Sequence, residues 1–205
     1  MEEQKLLTNI GRPKQYQKSK VLETALNTFW KYGYANVSTQ QLCEATHLGR
    51  GSLYHAFNNK HDLFLLSLRQ YVEEGNRMQR ECFIKHNSSK DGVNALLDWA
   101  ISMDFNDSNI SGCFMINSYL ERGNIDSDVS EIMNFHIGEL KQLLTEAFIK
   151  ARKNKELRKS TQPIEEALTS FLIFYFGFRF MNTMPYETID TARKRKRLII
   201  EALFN

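Results

Sequence analysis

The sequence predicts an all-α fold. Apolar residues recur every three or four positions through most of the 205 residues, which is the spacing of one helical face. No stretch shows the strict apolar–polar alternation with β-branched residues that is typical of strands, and glycines fall between the periodic segments. A hydrophobic fraction of 42% in a chain of this length suffices for a sizeable core.

Three helices are predicted at the N-terminal end. The first covers about 18–32, because apolar positions 21, 22, 25, 26 and 29 share one face, and Gly33 can end it in the left-handed conformation. Ser38 can cap a second helix that ends near 46, with Gln41 completing a capping box. A third short helix follows over about 50–57. The residues spaced to pack the two short helices on each other and on Phe29 are Leu42, Ala45, Leu48, Leu53 and Phe57.

The remaining helices are longer and separated by polar loops. Asn59 can cap a fourth helix over about 60–84. Further helices are predicted over about 93–103, 113–120, 128–153, 163–184 and 188–203. We expect a division near the start of the fourth helix, into an N-terminal domain, 1–64, with a flexible arm, and a C-terminal helical domain, 65–205.

Two short helices joined by a tight turn behind a longer one form a helix-turn-helix arrangement, whose second helix enters the DNA major groove. Between Gly11 and Lys60 there are seven Lys or Arg but two acids, and this charge favours an anionic partner. On the third helix, Arg50 can bind a guanine edge and Ser52 a base, while Gly49 and Gly51 leave room for DNA. Side chains suited to hold phosphates are Tyr54, His55 and Lys60.

The segment 21–64 resembles the DNA-binding domain of TetR-type transcriptional regulators. The matching features are the helix end "KYGY" (31–34), the Ser38 cap, the run "LYHAF" (53–57), and Lys60 before Leu63. Gly49 stands where the family usually has Ser or Thr. The resemblance implies phosphate contacts at Ser38, Thr39, Tyr54, His55 and Lys60, and base contacts from Gln40, Arg50 and Ser52.

Two N-terminal features allow more than one interpretation. The stretch "GRPKQ" (11–15) is either a disordered tail or an arm whose Arg12 enters a minor groove. His47, His55 and His61 share no helical face with a carboxylate, so we expect surface groups near DNA and no metal site.

For the C-terminal half, the resemblance implies a helical domain that binds a ligand and dimerises through its last two helices. The run "FLIFYFGFRFM" (171–181) is apolar nearly all round, which suits a helix covered on one side by its own domain and on the other by a partner. Asn117 and His136 are polar residues among apolar ones. A buried polar side chain needs a hydrogen-bond partner, either within the protein or in a bound ligand. The candidate ligand-binding residues are Trp99, Phe105, Phe114, Asn117, Tyr119, Phe135, His136, Phe174, Tyr175 and Phe178, although an aromatic residue in such a position more often belongs to the plain core than to a ligand site.

The predicted function is a cytoplasmic, homodimeric repressor that a small-molecule effector releases from a palindromic operator, with no cofactor. Three alternatives stay open: a switch by oxidation or electrophiles at Cys82 or Cys113, a switch by a protein partner, and a ligand-independent architectural DNA-binding protein. An enzyme is not expected, because the sequence has no nucleophile–base signature, phosphate-binding glycine loop, HExxH or CxxC. No signal peptide or membrane span is expected either. The basic run "RKRKR" (193–197) is expected to be the solvated face of the last helix.

Overall fold

The computed structural model of the chain describes residues 18–105, 112–158 and 163–205. Over these residues the fold is all-α, as predicted, with one isolated bridge between Leu157 and Phe204. Arg12 and the rest of the N-terminal arm lie outside the described residues. The helices are α1 (Lys18–Tyr32), α2 (Thr39–Thr46), α3 (Arg50–Phe57), α4 (Lys60–Ile84), α5 (Ser89–Asp104), α6 (Phe114–Arg122), α7 (Ser127–Lys153), α8 (Ile164–Met181) and α9 (Ile189–Leu203).

Local signals fix the ends of the N-terminal helices. Gly33 follows α1 at φ +77°, a conformation that strains residues with a Cβ. Ser38 and Gln41 form the predicted capping box at the start of α2, and the Asn59 side chain accepts the Asp62 amide at the start of α4. Gly49 precedes α3 and contributes no side-chain cap. These predictions are confirmed because each depends on residues within four positions of one another.

The first hydrophobic core joins α1, α2, α3 and the start of α4. Phe29, Leu42, Leu53 and Phe57 are buried there, as predicted, whereas Ala45 is exposed, so its predicted packing role is wrong. Of the residues of α2 only Leu42 is fully buried, and position 45 lies on the solvent side of the helix. This core also takes in Phe114, Met115 and Ile116 of α6 and Val129, Ile132 and Met133 of α7.

The second hydrophobic core lies between α5, α7, α8 and α9. The long α4 connects the two cores, packing on α1 at one end and on α5 and α7 along its length. Helix α5 begins at Ser89, four residues before the predicted start, because Ser88 caps it by accepting the Asp91 amide. No helix in the described part of the chain is long and apolar enough to cross a membrane.

Candidate nucleic-acid interface and buried polar cluster

One face of α3 is exposed, and glycines leave space beside the backbone at its start. Arg50, Gly51, Ser52 and His55 are all exposed, and a Cβ built on Gly49 or Gly51 would meet no atom within 4 Å. The Arg50 guanidinium lies 5.9 Å from the centroid of the Tyr54 ring. A flat partner could therefore approach the first turn of α3 closely, with a forked cation beside it.

The start of α2 is tied to α3 by a hydrogen bond between two hydroxyls. The Thr39 and Tyr54 hydroxyl oxygens are 2.5 Å apart, and Tyr54 is half-buried. Ser38 is exposed and its hydroxyl accepts the Gln41 amide at 3.2 Å. The exposed Gln40 donates from its side-chain amide to the Glu44 carboxylate at 2.9 Å. The first turns of α2 and α3 thus form one continuous polar surface.

Lys60 and His61, at the start of α4, are held by neighbouring side chains. The Lys60 ammonium is 4.3 Å from the centroid of the Tyr34 ring, and burial lowers the pKa of Lys60. His61 Nε2 lies 2.8 Å from Asp126 Oδ2, before α7. His61 is therefore held by a carboxylate 65 residues away, and its ring is only partly exposed.

Three potential metal ligands meet at this point. Donor atoms of His61, Asp126 and Asp128 lie within 4.8 Å of one another. Arg122 Nε, however, donates to the same Asp126 oxygen at 3.0 Å. Both hydrogen bonds help to lower the pKa of Asp126 against the opposing effect of burial. The geometry is that of an ion-paired carboxylate whose charge Arg122 already balances.

The predicted ligand-binding residues fall into different environments. Phe114 belongs to an aromatic cluster of the first core, with its ring centroid 5.6 Å from that of Tyr71. Asn117 lines a cleft of about 230 Å³ between α1 and α6, together with Trp30, Phe114 and Glu121. Tyr119 and Phe135 are exposed at the surface, and Phe105 is half-buried. Phe174 is also half-buried and stacks on the buried Phe178. His136 and Tyr175 are buried near Arg179, and the half-buried Trp99 lies beside its guanidinium.

Arg179 is the centre of a buried polar cluster in the C-terminal half. Its Nε and Nη2 donate to Asp104 Oδ1 at 3.1 and 2.6 Å, and both side chains are almost completely buried. Asn182 donates to the other Asp104 oxygen at 2.9 Å, and the guanidinium lies 5.5 Å from the centroid of the Trp99 ring. Burial opposes the charge of Arg179, but the attraction of neighbouring groups, the Asp104 carboxylate among them, outweighs it and raises the arginine pKa.

More polar groups surround this ion pair. The Tyr71 hydroxyl donates to Cys113 Sγ at 3.5 Å, and Gln79 Nε2 donates to the Tyr175 hydroxyl at 3.5 Å. Burial raises the pKa of both tyrosines. This cluster joins α4, the start of α6 and α8 through polar contacts inside an otherwise apolar interior.

His136 contributes a neutral imidazole to the same region. Burial, with a smaller effect of the Arg179 charge, lowers its pKa to about 4. Its Nδ1 lies 2.6 Å from Asn76 Oδ1, which leaves Asn76 Nδ2 without a partner in the described part of the chain. Asn182 Oδ1 is likewise unpaired among the described residues. Unpaired buried polar atoms are rare, so these two identify positions where a bound molecule could be recognised.

Sequence reasoning missed most of this cluster. Arg179 lies inside the apolar run 171–181 without being named as a candidate, and Asp104, Tyr71 and Asn76 are not among the predicted site residues. An arginine inside an apolar helix is almost never fully buried without a partner, so Arg179 did signal a buried carboxylate. The sequence could not say which acid it was, because Asp104 lies 75 residues away.

Comparisons with known proteins agree with this arrangement. Residues 21–66 match the family model of the bacterial regulatory proteins of the tetR family. The chain is 26% identical over 163 residues to the uncharacterized HTH-type transcriptional regulator YezE of Bacillus subtilis (strain 168), covering 80% of this chain and 84% of that protein. It is 34% identical over 112 residues to the HTH-type transcriptional repressor ComR of Escherichia coli (strain K12), covering 53% of this chain and 52% of ComR.

A similar fold is seen in the TetR family regulator CifR, solved as a cysteine mutant complexed with 26bp double-strand operator DNA. The two chains are 23% identical, with a TM-score of 0.78 over 94% of this chain and 100% of that one. At this identity the likeness concerns the fold alone. Taken with the match of the helix-turn-helix segment and the two relatives, it leads to one conclusion: residues 21–66 match the DNA-binding domain of the tetR family, and the chain is similar to DNA-binding transcriptional regulators of that family.

Proposed function

We propose that the protein is a homodimeric repressor that binds a palindromic operator and is released by a small-molecule effector. The observation that carries the proposal is the polar surface made by the first turns of α2 and α3, with Arg50 and Ser52 exposed beside the Thr39–Tyr54 hydrogen bond. Its solved relative CifR is described in complex with operator DNA, which supports the same partner here. Such a regulator would act in the cytoplasm, where its operator is.

The DNA contacts divide by chemistry. Arg50 would read a guanine edge, with Ser52, Gly51 and Gln40 at neighbouring base positions. Arg12 would reach the minor groove from the arm. The groups that would bind phosphates are Ser38, Thr39, Tyr54, His55 and Lys60, because hydroxyls, cations and the amides at the start of α2 suit an anion.

The proposed dimer contact uses the outer face of α8. Thr169, Ile173, Gly177 and Phe180 are exposed at helical spacing along it, and Ile173 is 71% exposed. A Cβ on Gly177 would meet nothing within 4 Å, so packing inside one subunit does not require a glycine there. Small and apolar residues along one stripe suit close packing against the same helix of a second copy, with α9 beside it.

The proposed effector site is the buried polar cluster around Arg179. The unpaired Asn76 Nδ2 offers a donor, and the unpaired Asn182 Oδ1 offers an acceptor. The effector would therefore be a small molecule with an apolar body and a few hydrogen-bonding groups. Releasing the operator requires that it bind the non-operator conformation more tightly than the operator-bound one. The domains would be 1–64 for DNA and 65–205 for effector and dimer.

A second trigger is favoured by one observation, the environment of Cys113. This thiol is buried, accepts the Tyr71 hydroxyl, and interacts electrostatically with Arg179. Modification of Cys113 would add bulk where the ion pair lies. If iodoacetamide weakens operator binding by the wild type but not by Cys113→Ser, this trigger is supported; equal effects on both proteins would exclude it.

The test of the main proposal is binding to the DNA upstream of the protein's own gene, against a scrambled duplex, across a salt series. We expect tight binding to the native duplex, and Arg50→Ala should lower the preference for it by roughly 10-fold or more. The matched control is Lys194→Ala, which removes an exposed cation from α9. Equal and steeply salt-dependent binding to both duplexes would contradict sequence recognition and favour an architectural protein.

A further inference from the structure

Glu121, in the last helical turn of α6, binds the loop that joins α1 to α2. The two carboxylate oxygens of Glu121 accept separate backbone amides, Oε2 from Tyr34 at 2.9 Å and Oε1 from Ala35 at 2.7 Å. Hydrogen bonds from amides to an ionised carboxylate are among the stronger kinds. Glu121 therefore connects a helix of the C-terminal half directly to the backbone of the helix-turn-helix unit, across more than 80 positions of sequence.

The neighbouring glycine fits this contact. A Cβ at Gly33 would lie 3.1 Å from Glu121 Oε2, closer than ordinary van der Waals contact. The positive φ of Gly33 turns the chain so that the next two amides point to one carboxylate. Arg122 strengthens the junction, because its guanidinium lies 4.2 Å from the centroid of the Tyr34 ring.

A second connection lies in the loop between α6 and α7, at Asp126. Asp126 Oδ2 accepts Arg122 Nε at 3.0 Å and lies 2.8 Å from His61 Nε2 at the start of α4. The junction thus holds the helix-turn-helix unit at two points, before α2 through Tyr34 and Ala35, and after α3 through His61. Rotation of this unit relative to α6 would break both contacts together.

The other end of α6 lies beside the buried polar cluster. Trp30 Nε1 of α1 donates to the Gly112 carbonyl at 3.2 Å, and the next residue, Cys113, accepts the Tyr71 hydroxyl. The first turn of α6 is anchored by Phe114, Met115 and Ile116 in the first core. It is a short and well-packed helix of nine residues, so a displacement at its start reaches Glu121.

We propose that Glu121 is a positioning residue for operator binding: by holding the Tyr34 and Ala35 amides it sets the orientation of α2 and α3 relative to the rest of the subunit. In a dimer this orientation fixes the separation of the two recognition helices, and hence the half-site spacing that the protein accepts. The inference rests on the proposed operator-binding function and assigns its geometry to one side chain outside the helix-turn-helix unit.

The experiment compares the wild type with Glu121→Ala, Glu121→Gln and the control Glu131→Ala, which removes an exposed carboxylate from α7. The operator is the duplex that the wild type selects from a random library, with variants carrying two base pairs more or fewer between the half-sites. We expect Glu121→Ala to lower the discrimination between native and altered spacing by roughly 10-fold. Glu121→Gln should lie between, because its side chain keeps one acceptor oxygen.

Amide hydrogen exchange at Tyr34 and Ala35 provides a readout without DNA. Glu121→Ala should exchange there at least about 10-fold faster than the wild type, with unchanged rates in α8, which separates a local effect from unfolding. Equal losses of affinity at every spacing, or slow exchange retained in Glu121→Ala, would overturn the inference while leaving the proposed function intact. A wild type that selects no specific duplex overturns both.

Discussion

Among single residues, His136 is a histidine that the fold keeps neutral. Burial lowers its pKa to about 4 in the folded protein, against about 6.5 in an unfolded chain. Between these values the unfolded state binds more protons, so stability falls as the pH drops from 6.5 towards 4. We expect the free energy of unfolding to fall by about 2–3 kcal/mol more in the wild type than in His136→Gln between pH 7 and pH 4.5.

The measurement is urea unfolding of both proteins across this pH range. Only the difference between the two slopes is compared, because His136→Gln also alters the hydrogen bond to Asn76. Parallel pH profiles would contradict the prediction and mean that His136 has the same pKa in the folded protein as in the unfolded chain.

At the scale of a helix, α8 buries one face in the second core and leaves another face exposed to solvent in the single subunit. Leu168, Phe171 and Tyr175 are buried, while Ile173 and Phe180 are exposed. If α8 pairs with its copy, a larger residue at the exposed Gly177 must separate the two helices. We expect Gly177→Leu to weaken dimerisation at least about 10-fold, with helical content retained, as measured by sedimentation equilibrium.

The matched control is Gly138→Leu on α7. Gly138 too is exposed within a long helix, and a Cβ there would meet nothing within 4 Å. In a single subunit both substitutions should be tolerated, because leucine is the better helix former by roughly 0.5–1 kcal/mol. Dimerisation that is unchanged by Gly177→Leu would mean that this stripe is not the subunit contact.

Across the whole molecule, the Asp104–Arg179 pair joins α5 to α8 inside the second half of the chain. Removing one member leaves a buried charge without its partner. We expect Asp104→Ala to lower the free energy of unfolding by about 3–5 kcal/mol. The double variant Asp104→Leu/Arg179→Met should recover much of this loss, because it removes both charges and keeps apolar volume.

Chemical denaturation measures these differences, and an exposed pair provides the comparison. Lys196 Nζ lies 2.7 Å from Asp98 Oδ1, with the aspartate half exposed. Asp98→Ala should cost at most about 1 kcal/mol, because solvent screens that pair. If Asp104→Ala costs no more than Asp98→Ala, the buried pair does not hold the helices together in the way the geometry indicates.

The basic run of α9, residues 193–197, forms ion pairs within the folded chain as well as a solvated face. Arg195 makes two hydrogen bonds to Glu187, and Lys196 pairs with Asp98 of α5. Only part of the run therefore forms the solvated face predicted for it, with Lys194 and Arg197 exposed. The spacing of the charges could be read from the chain, but their acidic partners could not.

The sequence by itself determined the helices and the type of DNA-binding unit, because their signals are local. The Ser38–Gln41 capping box, the glycine after α1, and the apolar spacing of α1 and α3 each involve residues within a few turns of one another. Even the exposed face of α3 follows, since burying Leu53 and Phe57 on one side turns Arg50 and Ser52 to the other.

Only the tertiary structure decided which distant polar groups meet. Glu121 finds its two amides 86 and 87 positions away, and Arg179 finds its carboxylate 75 positions away. Such pairs leave no periodic pattern, because a hydrogen bond between separate helices depends on how the helices pack and not on spacing along the chain. For this reason the sequence identified the DNA-binding unit, whereas its connection to the rest of the subunit became visible only in the folded protein.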